Sequence, residues 1–445
     1  MPSRRDYCKR LALTAGGIGL AGCATTLSDR TDPAGGPGTG DAPTTPASDA
    51  DPVDWTEFGV DSGNTGFAPG NTGPGDPSVA WTGIGSKATV NCSPAVVDGT
   101  VFVGGDAVYA FDAESGERRW RYQTGPFVPC APAVVDGVVY TAHSDGAVLA
   151  LDAETGEAVW THETNHNLWS QALTVHDGSV YVGTAGTMPA VVSGDTDESK
   201  AGLLVALDAD SGEKQWEFGA TDWFTGPAVG DGLVFAGNEE DRFYAVDVET
   251  GEEQWRWDAK TFAAPPTYHD GTVYVGLHGS GACVALDAQT GEVRWRTDLG
   301  TPNVKCSPAV DGDHVFVAGK RTTGVLLGGG EDDGTETETT EPATTTASGP
   351  AADGNYGRLQ ALSVADGSVA WTYDSDGDFR SSPAVTADAI YVGNGEGIVS
   401  VARADGSERW RVAFEKYVNS SPAVVDGRAY VGCADGNLYC LADEA

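Results

Sequence analysis

The chain has 445 residues, 65 of them acidic and 26 basic, for a net charge of −39. A nucleic-acid groove is excluded as the ordinary reading, because it needs clustered Lys and Arg to neutralise phosphates. At molar salt the screening length falls to about 3 Å, so a dense acidic surface is tolerated and keeps the protein soluble, as on the surface of an extreme halophile's protein.

The amino-terminus reads as an export and anchoring device. Ser3-Arg4-Arg5-Asp6-Tyr7-Cys8-Lys9 resembles a twin-arginine motif. The apolar run 11–22 is too short for a permanent membrane span. It ends in Leu20-Ala21-Gly22-Cys23, which resembles a lipobox, whose Cys takes a lipid after export. Residues 1–23 are therefore expected to be a signal. Cys23 would become the lipidated first residue, on the outer face of the cytoplasmic membrane. Residues 24–52 are mostly Thr, Pro, Gly, Asp and Ala, and predict a disordered tether. The segment from Trp55 to Gly70 is expected to pack against the folded body, with no chemistry of its own.

From there the chain repeats one unit. Residues 131–165 show it best, as four short strands punctuated by Asp136-Gly137, Asp145-Gly146 and Thr155-Gly156. The unit ends in AlaLeuAspAlaGluThrGlyGluAlaValTrp, and that pattern returns along the chain. Its Asp and Thr can bond turn amides, its Gly closes the turn, and its Trp fills the gap to the neighbouring sheet. Trp120, Trp160, Trp216, Trp255, Trp295, Trp371 and Trp410 mark seven units, spaced 39 or 40 residues apart except before Trp216 and Trp371. A period near 40 with four strands per unit predicts a β-propeller.

The AxDxxTGxxxW signature, preceded by SPAVVDGxVYVG, resembles the pyrroloquinoline-quinone (PQQ) repeat family, over roughly residues 55–445. That family includes the BamB-like lipoproteins and the quinoprotein dehydrogenases. The resemblance is specific for fold and far less so for function.

The last unit supplies three strands and stops without a Trp. The missing strand lies at the other end, around Trp81. The expected fold is therefore all-β: an eight-bladed propeller of four-stranded antiparallel blades over residues 53–445. Its ring closes by pairing the amino-terminal strand with the last three strands, which removes free edges. Two long insertions, 185–202 and 321–357, fall between second and third strands. The second is Thr/Glu-rich and predicts disorder. The second-to-third loops share a face, here called upper, with the links into each inner strand. The ThrGly turns lie on the lower face.

Several motifs invite chemistry. HisGluThrAsnHis at 162–166 matches HExxH, but it follows an outer strand, where two such His lie roughly 13 Å apart rather than on one helical face. Asp374, Asp376 and Asp378 resemble the start of a calcium loop, without the Glu expected at position twelve. Cys92, Cys130, Cys283, Cys306, Cys433 and Cys440 are neither vicinal nor in CxxC spacing. They read as free buried thiols, with a Cys92–Cys130 bridge as the alternative. Asn91 and Asn419 head N-x-Ser sequons. No catalytic triad, phosphate loop or paired catalytic carboxylates stand out.

Aligning the links into the inner strands gives an apolar packing position: Val90, Val128, Trp169, Trp223, Phe262, Val304, Phe379 and Val418. The next position is Asn91, Pro129, Ser170, Phe224, Ala263, Lys305, Arg380 and Asn419. Neighbours in extended chain point oppositely, so this second set is expected at the mouth of the central channel. Lys305 and Arg380 beside Asn91 and Asn419 would suit a carboxylate or another anionic group. The competing expectation is that each cation pairs with a local acid, such as Asp378.

Two functions follow from the resemblance. One is a non-enzymatic, lipid-anchored monomer, without cofactor, that holds a protein or anionic ligand on its upper face. The other is a quinoprotein dehydrogenase carrying PQQ and calcium. The second would imply a vicinal Cys pair, which is absent. An outer-membrane role would not carry over to a halophilic archaeon, the source the acidity implies.

Overall fold

The computed structural model describes residues 50–85, 89–168, 172–185, 202–220, 222–238, 242–258, 264–301, 303–321 and 356–444. Its strands form eight sheets of four, and no described residue is helical. Seven blades are consecutive meanders. Blade two, for example, runs Ala133–Val135, Val138–Ala142, Ala147–Asp152 and Ala158–Glu163. The eighth pairs Pro77–Gly83 with Leu438–Asp443, followed inward by Arg428–Gly432 and Ala423–Val425. The expected eight-bladed ring and its closure are thus present. In blade two the inner hairpin strands and the third strand are almost wholly buried. The outer strands alternate, as in Ala158–Glu163, and meet solvent on one face.

The repeat signature explains how the blades are joined. In blade two, Asp152 Oδ1 accepts from the Thr155 amide at 2.8 Å and the Thr155 hydroxyl at 2.9 Å, fixing the turn. Gly156 sits at φ +71°, and a Cβ there would lie 2.7 Å from the Trp120 ring of blade one. The turn Gly is thus required both for its backbone and for the flat face it offers the neighbouring indole. Trp120 also donates its indole N–H to the Ala153 carbonyl at 2.9 Å. The same cross-blade bond is made by Trp81, Trp160, Trp216, Trp255, Trp295, Trp371 and Trp410, at 2.8–3.1 Å. Buried Trp is thereby satisfied as a donor while its ring packs.

The lead-in does more than pack. From Trp55 to Thr72 it runs once around the lower end of the inner strands, touching every blade in order. The Trp55 carbonyl accepts from Val96, Thr56 from Val134, Ser62 from Val229, Gly63 from Tyr268, Thr65 from Val310 and Gly66 from Val385. The Val175 amide of blade three is taken by the Glu57 carboxyl at 3.2 Å, and Asn71 Nδ2 donates to Val424 of blade eight at 2.8 Å. Phe58, 4% exposed, packs on Ala131 and Ala172 of the inner ring. This belt satisfies amides that the inner strands would otherwise leave unpaired.

Two boundaries differ from the sequence reading. The second strand of blade six reaches Arg321 and the third begins at Tyr356, because Lys320 and Arg321 pair with Gly357 and Tyr356. The ladder thus runs into both ends of the stretch read as the 321–357 insertion, whose centre lies outside the described residues. At the other end the first residue of the expected body, Val53, already makes a contact, its amide donating to Asn71 Oδ1 at 2.7 Å. The signal, Cys23 and most of the tether lie outside the described residues.

Candidate functional site

The links into the inner strands converge on the upper mouth of the channel. There they line a cavity of about 540 Å³. Asn91, Lys305, Arg380 and Asn419 all border it, brought together from blades one, six, seven and eight. Asn419 Nδ2 approaches Asn91 Oδ1 at 3.4 Å, across the seam where the ring closes. Pro129 and Phe127 of blade two add an apolar stretch to the lining, next to blade one. Ser170, Trp169, Phe262 and Ala263 lie outside the described residues.

The packing position beneath the mouth is filled as expected by Val90, Val128, Val304, Phe379 and Val418, each 2% exposed or less. Blade four departs from the pattern. Phe224, not Trp223, is the buried residue, set against Gly183 and between Phe218 and Tyr244, while Trp223 is half-buried. The link is shifted by one residue there, so Phe224 belongs to the core and not to the mouth.

Asp378 organises the charges. Its Oδ2 lies 2.8 Å from Lys320 Nζ and 3.0 Å from Arg380, as ion pairs without hydrogen-bond alignment. Arg380 also stacks over the Tyr417 ring at 4.4 Å. The expected local acid for Arg380 is therefore present. Lys305 forms no ion pair among the described residues. His278 nearby is pushed below the ordinary histidine range by burial and then by the Lys305 charge.

Lys320 escaped the sequence reading. It follows the second-strand Gly of blade six, where the other blades carry Gly105, His143, Thr184, Asn238, Leu277, Asn394 and Cys433. Aligning those strand ends would have shown one cation among uncharged neighbours.

The serines of the SerPro motif were also missed. Ser307 donates its amide to Ser382 Oγ at 2.9 Å, Ser382 to Ser421 Oγ at 3.0 Å, and Ser421 to Ser93 Oγ at 2.8 Å. This arc spans blades six, seven, eight and one. The equivalent positions in blades two to five are Ala131, Ala172, Gly226 and Pro265.

The other candidate motifs find separate partners. Asp374 is held in a two-pronged pair by Arg358 at 2.7 and 2.9 Å, and Asp376 is exposed. Among the described residues no three His, Cys, Asp or Glu side chains gather to hold a metal ion. His162 Nδ1 sits 2.8 Å from the Gly212 carbonyl in a blade-to-blade contact. The six described cysteines are free and buried, and burial pushes the Cys92 thiol up to about 12. Cys92 Sγ donates to the Cys130 carbonyl at 3.1 Å instead of forming a bridge.

The profile of the PQQ-repeat family described as "Outer membrane protein assembly factor BamB" matches residues 72–199, 200–276, 256–353 and 355–444. The chain belongs to this family. No curated protein matches it in sequence. Among solved structures, BamB from Moraxella catarrhalis superposes with a TM-score of 0.59 at 18% identity, covering 83% of this chain and 98% of that one. Quinohemoprotein alcohol dehydrogenase from Comamonas testosteroni gives 0.68 at 17% identity, covering 88% and 81%. A europium-containing methanol dehydrogenase gives 0.65 at 14% identity, covering 88% and 98%. At these identities the likeness is one of fold, shared by BamB and by dehydrogenases.

The dehydrogenase likeness raises a quinone with its calcium ion. The cavity does not suit that pair. Calcium takes six to eight oxygen ligands, with carboxylates prominent. The lining offers one carboxylate, Asp378, already facing two cations.

Proposed function

We propose that this BamB-family propeller is an exported, lipid-anchored binding protein that holds a partner through an anionic group seated in its upper mouth, without catalysing a reaction. The observation that carries the reading is the charge of the cavity. Lys305, Lys320 and Arg380 face a single carboxylate there, in a chain of net charge −39. Cations gathered in a concave, partly desolvated site attract an anion more strongly than the same charges on an open surface. The twin-arginine motif and Cys23 support export and anchoring.

The test is capture of partners from native membranes by the full-length protein. A variant carrying Lys305→Ala and Arg380→Ala should recover markedly less of the bound partner while its melting transition stays intact. Unchanged recovery would remove the upper mouth as the binding site.

A further inference from the structure

We infer that the cavity selects a divalent oxyanion, a phosphoryl or sulfate group, over a monovalent carboxylate. This rests on the binding reading above and deepens it.

The first ground is the charge count. Three cations and one carboxylate border the cavity. Both of the paired cations converge on the same Asp378 oxygen, so one negative charge is shared between them, and Lys305 forms no ion pair among the described residues. Two positive charges are left uncompensated. A carboxylate supplies one negative charge. A phosphate monoester supplies about 1.5 to 2 at neutral pH, with three acceptor oxygens.

The second ground is the direction of the hydrogen bonds. The hydroxyl oxygens of Ser93, Ser382 and Ser421 each accept the amide of the neighbouring blade, and each keeps its own proton. All three border the cavity. Arg380 Nε, on another cavity-lining residue, is without a hydrogen-bond partner, and Lys305 adds its ammonium from blade six. The polar arc is therefore rich in donors, arriving from four successive blades around a curve. A group with oxygens on several sides can accept from such an arc. A planar carboxylate meets only part of it.

The third ground is placement. Donors and cations occupy blades six, seven, eight and one, and Phe127 and Pro129 line the cavity from blade two, beside the end of that arc. An ester could seat its charged end on the polar arc and run its apolar or neutral remainder past Phe127 toward the open mouth. A phosphate free in solution and a phosphate carried on a larger molecule share the same recognition chemistry.

The test is calorimetric titration of the full-length protein in molar potassium chloride, with sulfate, inorganic phosphate, methyl phosphate and acetate as probes. Sulfate and phosphate should bind at least about tenfold more tightly than acetate, from the extra charge in a weakly screened site. Acetate binding as tightly as sulfate, or no binding by any probe, overturns the inference. Methyl phosphate matching inorganic phosphate would assign the site to an ester on a larger ligand. Inorganic phosphate binding alone would assign it to the free ion. Lys305→Ala should abolish the preference. Asp378→Asn should tighten sulfate several-fold, and weakened binding counts against the charge argument.

Because that variant also frees Lys320 and Arg380 to move, the charge dependence is read on the wild type as well. Between about pH 7.5 and about pH 5 methyl phosphate loses its second charge and sulfate does not. Methyl phosphate should weaken relative to sulfate over that range, and a constant ratio overturns the inference. The two proposals fail separately. Partner capture lost in the double variant with no divalent preference leaves the binding function standing. A divalent preference with capture unaffected leaves only the ligand assignment.

Discussion

The indole N–H of Trp410 donates to the carbonyl of Pro74 at 2.8 Å, across 336 residues of sequence. In every other blade the acceptor sits at the turn between the third and fourth strands of the next blade. Blade eight has no such turn, because its outer strand comes from the other end of the chain. The lead-in delivers Pro74 to the same place, so the girdle of eight indoles is completed by a segment outside the repeat.

The girdle predicts a contrast between two glycines of blade two. Gly137 and Gly156 both have positive φ, but only Gly156 faces a ring. Gly137→Ala should cost about 1 kcal/mol for its left-handed backbone alone. Gly156→Ala should cost about 1–3 kcal/mol more, because its methyl must displace Trp120. Denaturant unfolding of both variants measures the gap, and equal costs would remove the indole from the argument.

Glu57 predicts a pH signature for the belt. Its carboxyl is buried against the Val175 amide, and burial foremost pushes its pKa from 4.5 to about 8, opposed by that amide and assisted by the Asp61 charge. The folded state thus holds this proton more tightly than the unfolded chain. Its contribution is complete below about pH 4.5, declines as pH rises through the window to about 8, and is then lost. Glu57→Gln keeps the shape without the titration. Its stability relative to wild type should therefore rise by a few kcal/mol between pH 5 and pH 9. A difference that stays constant with pH counts against this assignment.

Salt should matter throughout. With 65 acidic residues, self-repulsion grows as screening is lost. The melting temperature should fall steeply on dilution from molar to low salt. A transition independent of salt would contradict the halophile reading.

Anchoring is tested by Cys23→Ser, which should release the protein from membranes into the medium. Wild type already found wholly soluble outside the cell would rule the anchor out.

Most of the architecture was legible because the repeat writes it in side chains. Asp152, Gly156 and Trp160 recur at a nearly fixed spacing, and each has one geometric task. The belt was not legible for the opposite reason. Its contacts are largely backbone carbonyls meeting inner-strand amides, and the sequence from Asp54 to Gly70 carries no period. At the mouth, Lys305 and Arg380 could be found by aligning links. Lys320 and the serine arc could not, because they reach the cavity from other repeat positions. Phe224 misled the alignment because a one-residue shift in a short link leaves no mark on composition.

The belt and closing strand also set an order of events. Trp55 to Gly83 leave the ribosome before any blade, yet their partners include Val424 and Leu438–Asp443 at the far end. Contacts of such sequence separation form late, after the loop-closure entropy of the intervening chain has been met. The closing strand Pro77–Gly83 is therefore made before any complete blade and is among the last to be seated. Until the final strands are synthesised Pro77–Gly83 waits unpaired, so a chain interrupted in blade eight would leave that blade with an open sheet edge.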